Sequence, residues 1–146
     1  MASSSSHLTR ANLGFRLAKA AQRWNEILYE RFCAAGFSQV RPSFGSILIP
    51  LFEEDGLRLG DLARRGEIAK QTMTTMVRHV EKAGLVRRKA DPEDARAARV
   101  YLTEAARRFA PVAERILEEM EREAARVSSG REMQQVNHWL KRFAES

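Results

Sequence analysis

Two long stretches of apolar residues at three-to-four spacing enclose a middle section broken into short pieces by glycine and proline. That order limits the chain to a helical frame around a small mixed lobe. Leu13, Leu17, Ala20, Ala21, Trp24, Ile27, Leu28 and Phe32 place an apolar stripe on one helix, running roughly from Leu8 to Ala35 and stopped near Gly36. At the other end, Thr103 caps a long helix whose stripe is Phe109, Val112, Ala113, Ile116, Leu117, Met120, Ala124 and Val127, with Pro111 inside it as the site of a bend. Ser128-Ser129-Gly130 breaks the pattern, and Met133, Val136, Trp139, Leu140 and Phe143 define a last helix.

The middle follows a different rhythm. Phe44, Ile47, Leu48, Leu51 and Phe52 predict a helix opening after Pro42, with Pro50 kinking it or tightening its last turn. Leu57 to Leu59 is long enough only for a short extended piece. Gly60 and Asp61 open a short helix through Arg65. Met73, Met76, Val77 and Val80 give the inner face of the next helix, which closes at Ala83-Gly84. Leu85–Lys89 and Arg99–Leu102 read as two strands, and the polar segment from Ala90 to Ala98 joins them with turn chemistry at Asp91-Pro92. Strand, helix, turn, helix, strand, loop, strand is the order of a winged helix-turn-helix. The expected fold is therefore mainly α, with a small β wing.

Charge is concentrated in the same section. Between Arg58 and Arg99 there are 11 basic and 6 acidic residues, within a chain whose net charge is +6. A basic cluster confined to one segment is the footprint of a module that touches phosphate. With Met73, Met76, Val77 and Val80 turned inward, Gln71, Thr74, Thr75 and Arg78 face outward, and Lys70 stands at the entry. Gln71, Thr75 and Arg78 share one stripe. Gln pairs bidentately with adenine, Arg with guanine, and a Thr methyl packs on a thymine methyl. Arg87 and Lys89 on the first wing strand supply sequence-independent attraction to phosphate.

Leu62-Ala63, Lys70-Gln71-Thr72-Met73, the run from Val80 to Arg88, Asp91-Pro92-Glu93-Asp94-Ala95-Arg96 and Leu102-Thr103 together resemble the MarR family of regulators (multiple antibiotic resistance regulator-type). The wing pattern Asp-x-Arg, five residues, Leu-Thr falls on Asp94, Arg96, Leu102 and Thr103. Two positions depart from the family's usual pattern. Ala69 stands where a Ser or Thr caps the second helix, and Gly66-Glu67 reverses an apolar-then-Gly turn.

The resemblance covers nearly the whole chain, and several expectations follow from it. Residues 1–7 form a disordered tip, and 8–146 one domain. Within that domain, 8–36 and 104–146 are dimerisation helices and 42–103 the winged lobe. The resemblance implies a homodimer on a pseudo-palindromic operator, with Leu13, Leu17, Ile116, Trp139, Leu140 and Phe143 crossing the interface. It implies that Arg96 reaches into a minor groove and that Asp94 orients it through a charge-assisted hydrogen bond. It also implies a repressor released by a small aromatic or anionic effector, in a cleft for which Trp24, Phe44 and Leu48 are candidate lining residues. A nucleoid-type architectural binder with little sequence preference is the alternative.

Other chemistry finds little support. The longest apolar runs fall short of the roughly 20 residues of a membrane span. Met1 to Ser6 lacks the charged and apolar regions of a signal peptide. The lone Cys33 excludes an internal disulfide and fits a reducing cytoplasm. Cys33 is read as packed on the apolar stripe, with a redox role as the less favoured reading. His7, His79 and His138 lack metal-ligand spacing, and Glu118, Glu119 and Glu121 read as a solvated face. No catalytic pair, cofactor motif or phosphate loop emerges.

Overall fold

The computed structural model describes residues 7–146, so all of the expected tip except His7 lies outside them. His7 is held, since its carbonyl accepts a hydrogen bond from Asn12 Nδ2 at 2.8 Å. Helix α1 spans Leu13–Ala34 and begins five residues later than the apolar spacing alone suggested. The reason is local. The Asn12 side chain accepts the Phe15 N–H at 3.2 Å and fixes the helix start there. A 3₁₀ turn at Pro42–Phe44 leads into α2 (Gly45–Glu53), with Pro50 buried within it. Then follow β1 (Leu57–Arg58), α3 (Leu59–Arg65), α4 (Lys70–Lys82), β2 (Val86–Ala90), β3 (Ala98–Leu102), α5 (Glu104–Arg126) and α6 (Gly130–Ala144).

The sheet is antiparallel with β3 in the middle, in the order β1-β3-β2. Leu57 pairs with Val100 on one side, and Val86 with Leu102 on the other. Both wing strands sit about one residue away from their expected start. Leu85 is the last residue of the turn after α4, and Ala98 joins the ladder opposite Ala90.

One core runs through the chain. Leu62, Met73, Val77, Val80, Leu85 and Val100 are fully buried where α3, α4 and the sheet meet, and Ile47 and Leu51 of α2 pack against the same core. Phe32 of α1 meets Phe109 of α5 edge-on at 4.9 Å, joining the long helices to that core. Ile116 is 4% exposed and belongs to this core, so it is not available to an interface between copies. The packing of α5 against α1 consumes that face within the protomer. Val127, read as the end of the α5 stripe, is instead 89% exposed at the helix terminus. Thr103 does cap α5, accepting the Ala106 N–H at 3.3 Å. Its hydroxyl also donates to the Gly84 carbonyl at 2.6 Å, so the Leu-Thr pair ties α5 to the end of α4. Ser129 and Glu132 form a reciprocal capping box at the start of α6.

Helices α1, α3 and α4 end in the same hydrogen-bond pattern. The residue two beyond the cap donates to the third-from-last carbonyl: Phe37 to Phe32, Ile68 to Ala63 and Leu85 to Val80. The pattern needs a left-handed residue just past the cap. Gly36 and Gly84 supply it after α1 and α4, but after α3 it is Glu67, at φ 52°. Gly66 precedes it in ordinary helical geometry, where a Cβ would lie 3.3 Å from Met73 Cε. The reversed turn therefore places glycine where α3 packs against α4 and leaves the strained position to Glu67.

Glu67→Gly relieves that strain, partly offset by the greater freedom of the unfolded chain. It should raise stability by roughly 0.5–1 kcal/mol in urea unfolding. Gly84→Ala should lower stability by about 1 kcal/mol. A neutral or destabilising Glu67→Gly would show that the turn carries no backbone strain.

Candidate nucleic-acid interface

Burial of Met73, Val77 and Val80 sets the direction of every other α4 side chain. Lys70, Gln71, Thr75 and Arg78 are exposed and Thr74 half-buried, as their spacing implied. Thr74 Oγ1 donates to the Lys70 carbonyl at 2.9 Å and Thr75 Oγ1 to that of Gln71 at 3.4 Å. With their hydroxyls engaged inside the helix, the threonines offer mainly methyl groups outward. Ala69 is the N-cap and makes no side-chain bond, so the first amides of α4 lack a side-chain partner.

The basic residues of the lobe divide into two sets. Arg58, Arg64, Arg65, Arg88 and Arg99 are each ion-paired, with Asp91, Asp61, Glu54, Glu81 and Asp91 respectively. Among the described residues, Lys70, Arg78, Lys82, Arg87, Lys89 and Arg96 form no ion pair. Lys89 Nζ rests 5.3 Å from the Tyr101 ring, which supports its stem without neutralising its charge. Five of the six uncompensated cations are the positively charged residues singled out from the sequence. Lys82, in the last turn of α4, is the sixth. It had no signal of its own, because nothing in the sequence says which lysines lack a partner.

Glu81 shows how a paired arginine is used. Arg88 Nη2 donates to Glu81 Oε1 at 3.0 Å, and the Arg88 backbone N–H donates to Oε2 at 3.1 Å. The carboxylate thus fastens β2 to α4, and Arg88 is occupied in doing so. These bonds hold the Glu81 carboxyl below its ordinary range, the side-chain bond from Arg88 first and the backbone bond second.

The wing is built on Asp91, which sequence reasoning passed over as a turn residue. The residue is 3% exposed and its side chain is fully buried. Oδ1 accepts the Glu93 N–H at 3.0 Å, while Oδ2 lies 2.6 Å from Arg58 Nε and 3.4 Å from Arg99 Nε. The Arg58 contact lies off the hydrogen-bond axis, so the attraction there is Coulombic. The Glu93 N–H bond is the main influence lowering the Asp91 carboxyl, followed by Arg58 and Arg99, against the opposing effect of desolvation. Gly56, at φ 73° with its Cα against the Tyr101 ring, brings its carbonyl to 2.9 Å from Arg99 Nη1.

At the tip, the expected side-chain bond between Asp94 and Arg96 is replaced by a backbone one. Asp94 Oδ1 accepts the Arg96 N–H at 3.0 Å, and the Ala97 N–H donates to the Asp94 carbonyl at 3.0 Å. Two residues apart in a turn, the carboxylate reaches the amide more readily than the guanidinium. Arg96 is left exposed with its charge free.

Helices α1, α2 and α5 enclose a cleft of about 790 Å³. Trp24 and Leu48 line it, as expected, together with Phe52, Phe109 and Leu117. Phe44 does not line it; the 3₁₀ turn packs that ring against the core instead. Arg41 is the one basic side chain in the lining, opposed by Glu114, Glu118 and Glu121. Those three glutamates form no ion pair among the described residues; Glu118 and Glu121 are exposed, as a solvated face requires, and also border the cleft. Leu13, Trp139, Leu140 and Phe143 are exposed and Leu17 is half-buried. Cys33 is exposed on α1 rather than packed, because Phe32 takes the inward position beside it. Among the described residues no His, Cys, Asp or Glu cluster is placed to hold a metal ion, and no helix is long and apolar enough to cross a membrane.

The paired helices α3 and α4, the three-stranded sheet and the uncompensated basic face define a winged helix-turn-helix protein. Residues 42–98, the winged lobe up to the start of β3, match the MarR family model. The chain is similar to a probable transcriptional regulator from Pseudomonas aeruginosa at 26% identity and TM-score 0.79, over 91% of this chain and 97% of that one. The same fold recurs in the transcriptional repressor CouR bound to a 23-mer DNA duplex, at 22% identity and TM-score 0.79, covering 95% of this chain and 99% of that one. It recurs again in the PcaV regulator from Streptomyces coelicolor in complex with its natural ligand, at 18% identity and TM-score 0.76, covering 97% and 98%. A search of curated proteins returned no match.

The depressed carboxyls of Asp91 and Glu81, and of Glu123, which accepts from Arg31 at 2.6 Å, set an acid limit on stability. A carboxyl whose folded pKa lies below its unfolded value contributes fully above the unfolded value, and that contribution is lost as pH falls through the folded one. Melting temperature should therefore show no loss from these groups between pH 7 and about pH 5, then fall below about pH 4.5. Glu81→Gln should flatten that fall. An unchanged acid limb in Glu81→Gln would remove this pair from the account.

Proposed function

We propose that the chain is a homodimeric, sequence-specific DNA-binding regulator that represses transcription and is released by a small effector. The single observation carrying this reading is the division of charge. Every uncompensated cation between Arg58 and Arg99 lies on α4, β2 or the wing tip, while the remaining arginines of that segment are spent within the fold. On this reading α4 enters the major groove and reads bases with Gln71 and Arg78, with Thr74 and Thr75 offering methyl groups to thymine. Arg96 enters the minor groove, where negative potential is concentrated. Lys70, Arg87 and Lys89 engage phosphates, and the uncapped amides of α4 add neutral donors to them. The CouR complex with duplex DNA supports this use of the fold.

The dimer rests on α6. No residue of this helix is buried, yet Val136, Trp139, Leu140 and Phe143 form an apolar stripe along it, and Leu13 and Phe15 of α1 are exposed as well. A second copy covers such a patch most simply. The effector reading rests on the cleft between α1, α2 and α5, where Trp24 and Phe52 suit an aromatic ring. The ligand-bound PcaV structure supports an effector in this fold. A thermal-shift screen of small aromatic compounds tests it, since a ligand that binds only the folded state raises the melting temperature.

Binding to duplexes selected from a random-sequence pool tests the DNA reading. Gln71→Ala or Arg78→Ala should cost about 1–3 kcal/mol on the best duplex and less on its scrambled version. Arg87→Ala should weaken both similarly and reduce the salt slope by about one. Equal losses on both duplexes for Gln71→Ala would favour an architectural binder. In light scattering at micromolar concentration the wild-type chain should run as a dimer. Trp139→Glu or Phe143→Glu should shift it toward the 16.6 kDa monomer. A wild-type monomer would reject the dimer.

A further inference from the structure

Asp91 is the only buried charged residue in the described chain, and its surroundings are unusual for a wing turn. Arg58 on β1 and Arg99 on β3 are register partners, directly opposite one another. Like charges in that relation repel and push strands apart. The Asp91 carboxylate lies against both, with Oδ2 2.6 Å from Arg58 Nε and 3.4 Å from Arg99 Nε. The other charged group at the site is Glu93, whose Oε2 lies 3.7 Å from Arg58 Nη2 on the exposed side. The backbone of Asp91 also closes the wing. Its N–H donates to the Ala97 carbonyl at 3.0 Å, and its carbonyl accepts the Asp94 N–H at 3.3 Å. Asp94 in turn holds the Arg96 N–H.

We propose that Asp91 is a positioning residue for DNA binding: its carboxylate neutralises the opposed Arg58 and Arg99, and so holds the wing tip and Arg96 at a fixed height beside α4. The inference rests on the reading of the wing as a DNA contact. It assigns Asp91 no contact with DNA of its own. Burial from solvent makes the ionised side chain costly unless paired, and the two arginines provide that pairing. The same contact removes two positive charges from the surface that meets phosphate. Simple electrostatics and the positioning role therefore predict opposite outcomes when the charge is removed.

Asp91→Asn keeps an acceptor for the Glu93 N–H but leaves Arg58 and Arg99 facing each other. Coulombic reasoning alone predicts tighter binding to any duplex and a steeper salt dependence, since a negative charge is lost and two guanidinium groups are freed. The positioning role predicts about tenfold weaker binding to the best duplex recovered from a random pool, with scrambled DNA bound as well as before or better. Hydrogen exchange on the full-length free protein provides a readout that needs no DNA. The amides of Asp94, Arg96 and Ala97 should lose protection in Asp91→Asn, while those in α4 and α5 keep theirs. Adding Arg58→Gln to Asp91→Asn removes the repulsion and should restore wing protection and part of the affinity. Unchanged wing protection in Asp91→Asn, or binding to the best duplex as tight as wild type, overturns the proposal. If wild type binds no duplex at all, the DNA reading fails. The exchange data then still decide whether Asp91 orders the wing.

Discussion

The protein depends on the burial of one face of α4. Met73, Val77 and Val80 are fully enclosed among Leu62, Leu85 and Val100, and nothing else in the lobe offers those side chains a dry surface. Burying each is worth roughly 1.5–3 kcal/mol, so turning α4 by even one residue would cost more than the exposed face could recover. The outward direction of Gln71, Thr75 and Arg78 is a consequence of that packing. On the proposed reading, the recognition surface is the remainder left once the core has taken its residues. Its rigidity is that of the core.

Charge is organised by the same economy. Arginine is the commonest cation of the lobe, and most of its arginines are occupied in holding elements together. Arg88 is fixed by Glu81 between α4 and β2, and Arg58 and Arg99 by Asp91 between β1, β3 and the wing. Arg107 outside the lobe is held the same way, by Asp55, whose other oxygen accepts the Leu102 N–H. Glutamates and aspartates here do not dilute an attraction for phosphate. They choose which cations remain free for it. Net charge alone, which counts both sets equally, does not say which cations are on offer.

The helical frame serves a separate purpose. Helix α5 carries two surfaces, an inner one with Phe109, Ala113, Ile116 and Met120 in the core and a second bordered by Glu114, Glu118 and Glu121. The cleft beside α1 and α2 therefore touches the element that continues directly from β3 through Thr103. On the proposed reading, a ligand in the cleft would bear on the helix that begins where the wing strand β3 ends.

Much of this was legible in the residues themselves. Apolar spacing located the helices, and Gly84 and Thr103 marked true helix boundaries, because periodicity and capping are local properties that sequence carries directly. The start of α1 was misread because an asparagine cap competes with continued apolar spacing, and only geometry shows which wins. Ile116 and Cys33 exchanged their expected environments, inside for outside. A helical stripe tells which residues share a face, but not what covers that face. Phe44 left the cleft because a 3₁₀ turn rotates side chains by a different angle than an α-helix does. The ion pairs were the least legible of all. Asp91 and Arg58 are 33 positions apart in a chain with 25 basic residues, and a charge in sequence does not name its partner. The sequence by itself determined the order of elements, the inward face of α4 and the residue types offered to DNA. Only the tertiary structure decided which cations are free, which carboxylate anchors the wing and which apolar residues remain uncovered, since each depends on packing between segments distant along the chain.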